Sequence, residues 1–202
     1  MAVSTRYSII GSGNIGTAMA RLFARGGIEV SIANTRGTES LRPLVDSLGT
    51  QVRAVSLEEA LEGDVIVLAI PFAALGTVGA AKPDWTGKTV IDATNAVYSP
   101  GSAEILRGRL GSTYVANVFP GADVVKSFNH LPAQVLGTEL DPAVGKRVIF
   151  VASDSPDASS RVAALIIDLG QAVVELGRID EGGRLIEAPN SLVLRNLVEP
   201  LR

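Results

Sequence analysis

A glycine-rich turn near the start of the chain constrains its fold more than any other feature. The turn follows the apolar run 7–10 and opens a helical pattern that ends at Gly26-Gly27; its six residues are Gly11, Ser12, Gly13, Asn14, Ile15 and Gly16. In a strand–turn–helix unit the first glycine permits the tight turn, the second lets the backbone approach a pyrophosphate, and the third lets helix and strand pack closely. N–H groups at the helix start attract the anion. The pattern predicts a dinucleotide-binding domain.

The residues after the second strand indicate which dinucleotide is bound. The strand-like segment 28–33 is followed by Asn34, Thr35 and Arg36. An NAD-binding domain places an acidic residue here to bind the ribose 2′-hydroxyl, and a carboxylate would repel a 2′-phosphate. Arg36 can pair with that phosphate through its planar fork, and Thr35 can add an uncharged donor. Arg36 could instead be a solvated loop residue, but its position favours the phosphate. We therefore predict NADP rather than NAD.

Composition excludes several classes of function. The chain has 202 residues, 47% of them hydrophobic, and a net charge of −3 without a basic block, so we expect a globular domain that does not bind nucleic acid. It has no cysteine and one histidine, which argues against disulfides, thiolate chemistry and a metal site. Its apolar runs, such as 65–70, are too short to cross a bilayer, and its first residues lack a signal-peptide pattern. We expect a cytoplasmic protein with no membrane partner.

Strand-like and helix-like segments alternate along the rest of the chain. Further strands are predicted at 51–55, 65–70, 89–92, 124–128, 147–151 and 171–176, and helices at 39–48, 71–81 and 156–169, with a brief helix begun by the capping box 56–59. The continuous apolarity of 65–70 indicates a parallel strand that is buried on both faces. The predicted fold class is α/β: a doubly wound, mostly parallel Rossmann sheet with helices on both faces.

We expect a single NADP-binding domain over residues 1–202, with about 177–202 as a short C-terminal extension. Apolar residues in this extension predict a helix over 191–198. Many NADP-dependent dehydrogenases add a large helical domain that binds the substrate, and no such pattern is evident here. The second substrate is therefore expected in the crevice at the carboxyl ends of the strands, helped by a partner subunit. A flat redox-active ring suits such a site, because hydride exchange between two cofactors needs orientation rather than a dedicated base.

Five motifs in this order resemble the NADPH:coenzyme F420 oxidoreductase family over nearly the whole chain. They are Gly11–Gly16, Asn34–Arg36, Asp64–Pro71, Asp92–Asn95 and Val125–Asn129. The resemblance implies hydride transfer between NADPH and a 5-deazaflavin, in a small homo-oligomer such as a homodimer. It implies that the glycine turn binds the pyrophosphate. The other implied cofactor contacts are Asn34, Thr35, Arg36, Ile70, Pro71, Thr94 and Asn95, and the implied substrate-side residues are Lys126, Ser127 and Asn129.

Individual residues allow more than one interpretation. His130 and Lys126 are candidate catalytic residues, His130 as a general acid and Lys126 as a cation that neutralises an anionic ring or phosphate. Loop packing for His130 and a strand residue with a snorkelling side chain for Lys126 are the alternatives. Asp92 more often caps the following turn than acts as a base. Asn95 is expected to fix the cofactor pose, and no acid–base catalyst is assigned.

Two classes of function remain open on this evidence. The first is an NADPH-dependent reductase of a small-molecule, flavin-like acceptor: coenzyme F420 first, then FMN, FAD or a quinone-like compound. The second is a non-catalytic NADP(H)-binding redox sensor. An open cleft bordered by Thr94, Asn95, Lys126 and Asn129 would favour the enzyme. An exposed apolar tail and no room above the nicotinamide would favour the sensor.

Overall fold

A nine-stranded sheet organises the computed structural model, which describes residues 5–200. Its strands are β1 Tyr7–Ile10, β2 Val30–Ala33, β3 Val52–Ala54, β4 Val65–Leu68, β5 Thr89–Asp92, β6 Asp123–Ser127, β7 Lys146–Ser153, β8 Ala172–Glu175 and β9 Val198–Glu199. The strand order is β3-β2-β1-β4-β5-β6-β7-β8, and β9 pairs with β7. Strands β1–β6 are parallel, whereas β7 is antiparallel to β6 and β9 and parallel to β8. The predicted doubly wound, mostly parallel sheet is confirmed.

Helices cover both faces of the sheet. They are α1 Asn14–Arg25, α2 Arg42–Leu48, α3 Leu57–Ala60, α4 Leu75–Gly79, α5 Ser102–Leu106, α6 Gly111–Val118, α7 Ala133–Gly137, α8 Pro156–Asp168 and α9 Gly183–Ile186. The helix after the predicted capping box begins as expected, with Ser56 Oγ accepting the Glu59 N–H at 3.1 Å, and Ser155 Oγ caps α8 by accepting the Ala158 N–H at 3.4 Å. The helix expected over 71–81 is instead a 3-10 turn, Phe72–Ala74, followed by α4.

The two faces of the sheet carry two apolar cores. Ile9, Val67 and Val125 pack with residues of α1 and α8 on one face, while Ile66 and Leu68 belong to the cluster on the other. The second cluster contains Trp85, which is fully buried, stacks edge-on against Phe119 at 4.8 Å and donates its indole N–H to the Gly79 carbonyl at 3.0 Å. Apolar side chains on both faces explain why the central strands read as continuous hydrophobic runs.

The helix predicted over 191–198 is wrong. Turns occupy its first half, and Val198 and Glu199 form β9 against Arg147 and Lys146. The physical reason lies in the length of β7. Its first two residues extend beyond the register of both β6 and β8, so their backbone groups are free to pair with the returning chain.

No helix among the described residues is long and apolar enough to cross a membrane.

Candidate functional site

The glycine turn between β1 and α1 packs closely against backbone atoms at Gly11 and Gly16 and is free of protein atoms at Gly13. Gly11 has a φ of +108°, and a Cβ there would overlap the Ala69 carbonyl of the loop after β4. A Cβ on Gly16 would overlap the Gly11 carbonyl. A Cβ on Gly13 would meet no protein atom within 4 Å. Gly11 and Gly16 therefore hold the turn together, while the space beside Gly13 is open to a ligand such as a pyrophosphate.

A polar network joins this turn to the loop after β2. The Asn34 amide donates to Ser12 Oγ at 2.8 Å and Ser40 Oγ at 3.0 Å, and its carbonyl accepts the Arg36 backbone N–H at 2.8 Å. The Arg36 guanidinium also reaches Ser12 Oγ, at 3.2 Å. Thr35 is exposed beside them. The two predicted phosphate-binding segments thus lie in contact before any ligand is bound.

Two cavities meet at the loop after β4. The first, which we call the adenosine-side cavity after the half of the dinucleotide expected there, has a volume of about 350 Å³ and is lined by Ile10, Gly11, Ser12, Gly13, Asn34, Thr35, Arg36, Leu57, Ala69, Ile70, Pro71, Ala74 and Val78. The second, which we call the nicotinamide-side cavity on the same expectation, has a volume of about 410 Å³ and is lined by Asn14, Ile15, Ala69, Ile70, Pro71, Phe72, Ala93, Thr94, Asn95, Tyr98, Ser99 and Pro100. Residues 69–71 form the shared wall. Two adjoining cavities flanking a glycine turn fit the two halves of a dinucleotide.

The nicotinamide-side cavity contains little that could exchange a proton. Among the described residues that line it there is no carboxylate, imidazole, ammonium or guanidinium group. Its polar groups are amides, hydroxyls and the Tyr98 phenol, and Tyr98 is 68% exposed at the rim. Nor do residues 5–200 hold a group of three or more His, Asp or Glu side chains arranged to bind a metal ion. The cavity can orient a ring but offers no strong acid or base.

Asn95 reaches this cavity from an amide pair. Its Nδ2 donates to the Asn129 carbonyl at 2.7 Å, and Asn129 Nδ2 donates back to Asn95 Oδ1 at 3.0 Å. Asn129 Nδ2 also donates to the Ile186 carbonyl, and the residue is 3% exposed. Each Asn95 group keeps one hydrogen-bonding position unused. The structure therefore places Asn95 at the cavity and Asn129 behind it.

Comparison with known proteins identifies the family. The model of the family described as NADP oxidoreductase, coenzyme F420-dependent, matches residues 6–96, which include β1 to β5 and Asn95 but not Asn129. A hypothetical protein, SMa0349 from Sinorhizobium meliloti, has a solved structure that is 41% identical, with a TM-score of 0.91 and coverage of 97% of this chain and 96% of that one. This chain belongs to the coenzyme F420-dependent NADP oxidoreductase family. It is an NADP-dependent oxidoreductase.

More distant structures share the fold of this family member. A candidate F420-dependent NADP reductase from Arthrobacter sp. FB24 is 23% identical, with a TM-score of 0.70 and coverage of 88% of this chain and 86% of that one. A reductive aminase from Aspergillus terreus, solved with NADPH4, cyclohexanone and allyl amine, is 22% identical, with a TM-score of 0.60. The matched region covers 90% of this chain and 57% of the aminase. Curated protein sequences give no match.

In this oxidoreductase Lys126 lies beneath the crevice. Its side chain is 2% exposed, and its ammonium is 3.0 Å from Asp92 Oδ2 and 2.5 Å from the Thr94 carbonyl oxygen. Asp92 also accepts the Thr94 hydroxyl at 2.7 Å and the Ser112 hydroxyl at 2.8 Å. Its carboxylate thus caps the turn after β5, as expected. Contrary to the expectation of a substrate-side cation, Lys126 is sealed within a buried ion pair. Buried Ser127 donates to the Phe150 carbonyl at 2.8 Å and also lies away from the cavity.

His130 is equally enclosed. Its ring is fully buried and stacks edge-on against Phe150 at 4.8 Å, with no hydrogen-bond partner for either nitrogen among the described residues. Burial lowers the pKa of His130 from 6.5 to about 4, so the imidazole is neutral at pH 7. Its carbonyl accepts the Leu194 N–H at 2.7 Å. The structure supports the loop-packing interpretation of His130 and contradicts its assignment as a general acid.

Glu187 is a buried group that no sequence motif indicated. It lies in the C-terminal extension, is 8% exposed, and its Oε1 accepts the Gly111 N–H at the start of α6 at 2.6 Å. Burial raises the pKa of the Glu187 carboxyl, while the positive charge of Lys126 opposes that rise. The extension therefore contributes a carboxyl group to the buried polar cluster below the crevice. Seventy-six residues separate Glu187 from its partner in sequence, so no local pattern could have shown the contact.

Proposed function

We propose that this oxidoreductase transfers a hydride between NADPH and a flat, flavin-like acceptor, with the 5-deazaflavin coenzyme F420 as the first candidate. The observation that carries the proposal is the nicotinamide-side cavity, which adjoins the adenosine-side cavity and has no strong acid or base in its described lining. Transfer between two stacked rings needs proximity and orientation, which such a cavity can provide. FMN, FAD and quinone-like compounds are the second group of candidate acceptors.

The cofactor contacts proposed here follow the two cavities. Backbone groups of Gly11–Gly16 bind the pyrophosphate, and Asn34, Thr35 and Arg36 surround the 2′-phosphate. Ile70 and Pro71 border the nicotinamide ribose, while Thr94 and Asn95 orient the nicotinamide end. The bound nicotinamide supplies the hydride, and solvent at the open rim supplies the proton that the reduced acceptor takes up. The glycine turn supports this assignment, because a Cβ on Gly13 would meet no protein atom within 4 Å, which leaves space for a pyrophosphate.

The described part of the C-terminal extension supports treating residues 1–202 as one NADP-binding domain. Ile186 contacts Asn129 and Leu194 contacts His130, so the extension packs against the end of β6. The family resemblance and two exposed apolar side chains, Val97 and the cavity-lining Tyr98, support a homodimer. We propose that this reaction takes place in the cytoplasm. Light scattering after size-exclusion chromatography measures the mass and contradicts the homodimer if only monomer is present.

Anaerobic spectrophotometry tests the acceptor directly. Purified protein is mixed with NADPH and, in parallel, with oxidised coenzyme F420, FMN or FAD. We expect rapid bleaching of the deazaflavin band and little change with the flavins. A Gly13→Val variant is the matched control, because its side chain occupies the proposed pyrophosphate space and removes the NADPH-dependent signal. Tight NADPH binding without reduction of any acceptor would contradict the reductase and favour the redox sensor.

A further inference from the structure

One hydroxyl group connects the two phosphate-binding segments of the adenosine-side cavity. Ser12 Oγ accepts hydrogen bonds from Asn34 Nδ2 at 2.8 Å and from Arg36 Nη2 at 3.2 Å. A serine hydroxyl has two acceptor positions and one donor. Both acceptor positions are therefore occupied by the loop after β2. No described residue accepts the Ser12 proton, which leaves it for an incoming oxygen atom.

The same contacts fix where the Arg36 guanidinium lies. Asn34 holds the Arg36 backbone through its side-chain carbonyl at 2.8 Å, and Ser12 holds the tip of the side chain. Ser40 completes the arrangement by accepting from Asn34 Nδ2 and donating to the Gly37 carbonyl at 2.7 Å. Arg36 has no carboxylate partner within the described residues, so its charge is available to an anion. The wall of the adenosine-side cavity therefore presents the Ser12 hydroxyl and the Arg36 guanidinium side by side.

We propose that Ser12 determines the preference for NADPH over NADH, rather than serving only the pyrophosphate turn to which it belongs. Its oxygen holds Asn34 and Arg36 in place, and its proton is donated to an oxygen of the 2′-phosphate. A hydrogen bond to a charged phosphate is stronger than one to a neutral hydroxyl, so Ser12 contributes more to NADPH than to NADH. This inference rests on the proposed binding of the 2′-phosphate by Arg36.

Dissociation constants for both cofactors test the proposal in the full-length protein. In Ser12→Ala we expect the Kd for NADPH to rise about tenfold or more and the Kd for NADH to rise less than about threefold, the difference between a charge-assisted and a neutral hydrogen bond. Ser47→Ala is the control, since Ser47 also carries an exposed hydroxyl but bonds only the Leu44 carbonyl of its own helix. It should leave both constants unchanged. Equal losses for both cofactors in Ser12→Ala, or no loss, would overturn the proposal.

A double-mutant cycle separates failure of this inference from failure of the proposed 2′-phosphate site. If Arg36→Ala weakens NADPH and NADH equally, the 2′-phosphate assignment itself is wrong. If Arg36→Ala is selective, the Ser12→Ala effect on NADPH should be clearly smaller in the Arg36→Ala background, because the hydroxyl no longer has a guanidinium to hold. Additive losses would show that Ser12 and Arg36 act independently and would overturn the role of Ser12 as the connecting group.

Discussion

The two ends of the crevice use polar side chains in opposite ways. At the adenosine end, Ser12 and Asn34 are partly exposed, Arg36 is exposed, and the three bond one another in loops. At the nicotinamide end, Asp92 and Lys126 are buried and paired with each other beneath the cavity. The first group still has hydrogen-bonding positions that a ligand can use, whereas Asp92 and Lys126 form their hydrogen bonds within the protein. Polar residues at the same edge of one sheet thus divide into ligand-facing and supporting groups.

Substitution of the glycines in the turn should have the largest effects, on cofactor binding at Gly13 and on folding at Gly16. Gly13→Val should fold but bind neither NADPH nor NADH measurably, since the space at Gly13 is free of protein atoms and needed by the pyrophosphate. Gly16→Val should fail to fold, because its Cβ would overlap the Gly11 carbonyl. Circular dichroism and fluorescence titration distinguish the two variants. Unchanged cofactor affinity in folded Gly13→Val would contradict the assignment of the turn.

Removal of the buried cation tests whether the nicotinamide end is a supporting cluster. Lys126→Met leaves the Asp92 carboxylate buried without its counter-charge, and should lower the free energy of unfolding by about 3–5 kcal/mol. Urea denaturation measures the change. Combining it with Asp92→Asn, which removes the unpaired charge, should restore part of that loss. A stable Lys126→Met with normal unfolding but no turnover would instead give Lys126 a direct part in the reaction.

The buried histidine should affect stability against pH rather than the reaction. His130 stays neutral in the folded protein down to about pH 4, whereas the unfolded chain protonates it below about 6.5. The unfolded state therefore binds more protons in this window, and stability falls as pH drops from 6.5 to 4, by up to about 3 kcal/mol from this group.

His130→Leu should remove that part of the pH dependence and leave the pH profile of turnover unchanged. Urea denaturation of both proteins at several pH values provides the measurement. An identical pH dependence of unfolding in the variant would show that His130 is not the group responsible. A shifted pH profile of turnover would show that His130 takes part in the reaction.

Removal of the exposed arginine at the adenosine end should affect binding of one cofactor and leave protein stability unchanged. Arg36→Ala should weaken NADPH binding by about 1.5–3 kcal/mol, the range for loss of a charge-assisted hydrogen bond, and leave NADH nearly unchanged. Isothermal titration with each cofactor measures both. Because Arg36 is exposed, its removal should not alter the free energy of unfolding, in contrast to Lys126.

The residues that line the adenosine-side cavity follow from the sequence more closely than those around the nicotinamide-side cavity, for a physical reason. The glycine turn and the Asn34–Arg36 loop act through local spacing, since each follows its own strand directly and needs little from the rest of the chain. Lys126 and His130 also follow or lie in a strand, but Glu187 and Leu194 of the returning extension approach the same region. Burial by a distant segment converts residues that resemble catalytic groups into supporting ones. The error over 191–198 has the same origin, because pairing with β7 outweighed local helical periodicity.

The contacts of the extension form late in protein synthesis, because its residues are made last. All strands that flank the glycine turn, and every residue lining the two cavities, are present once residue 100 has been made. Asn129 and the carbonyl of Ile186 that supports it come later. Translation at about 5–20 residues per second separates the two stages by roughly 5–20 s. On the ribosome, every residue that lines the two cavities is thus made before the amide support of Asn95 is complete.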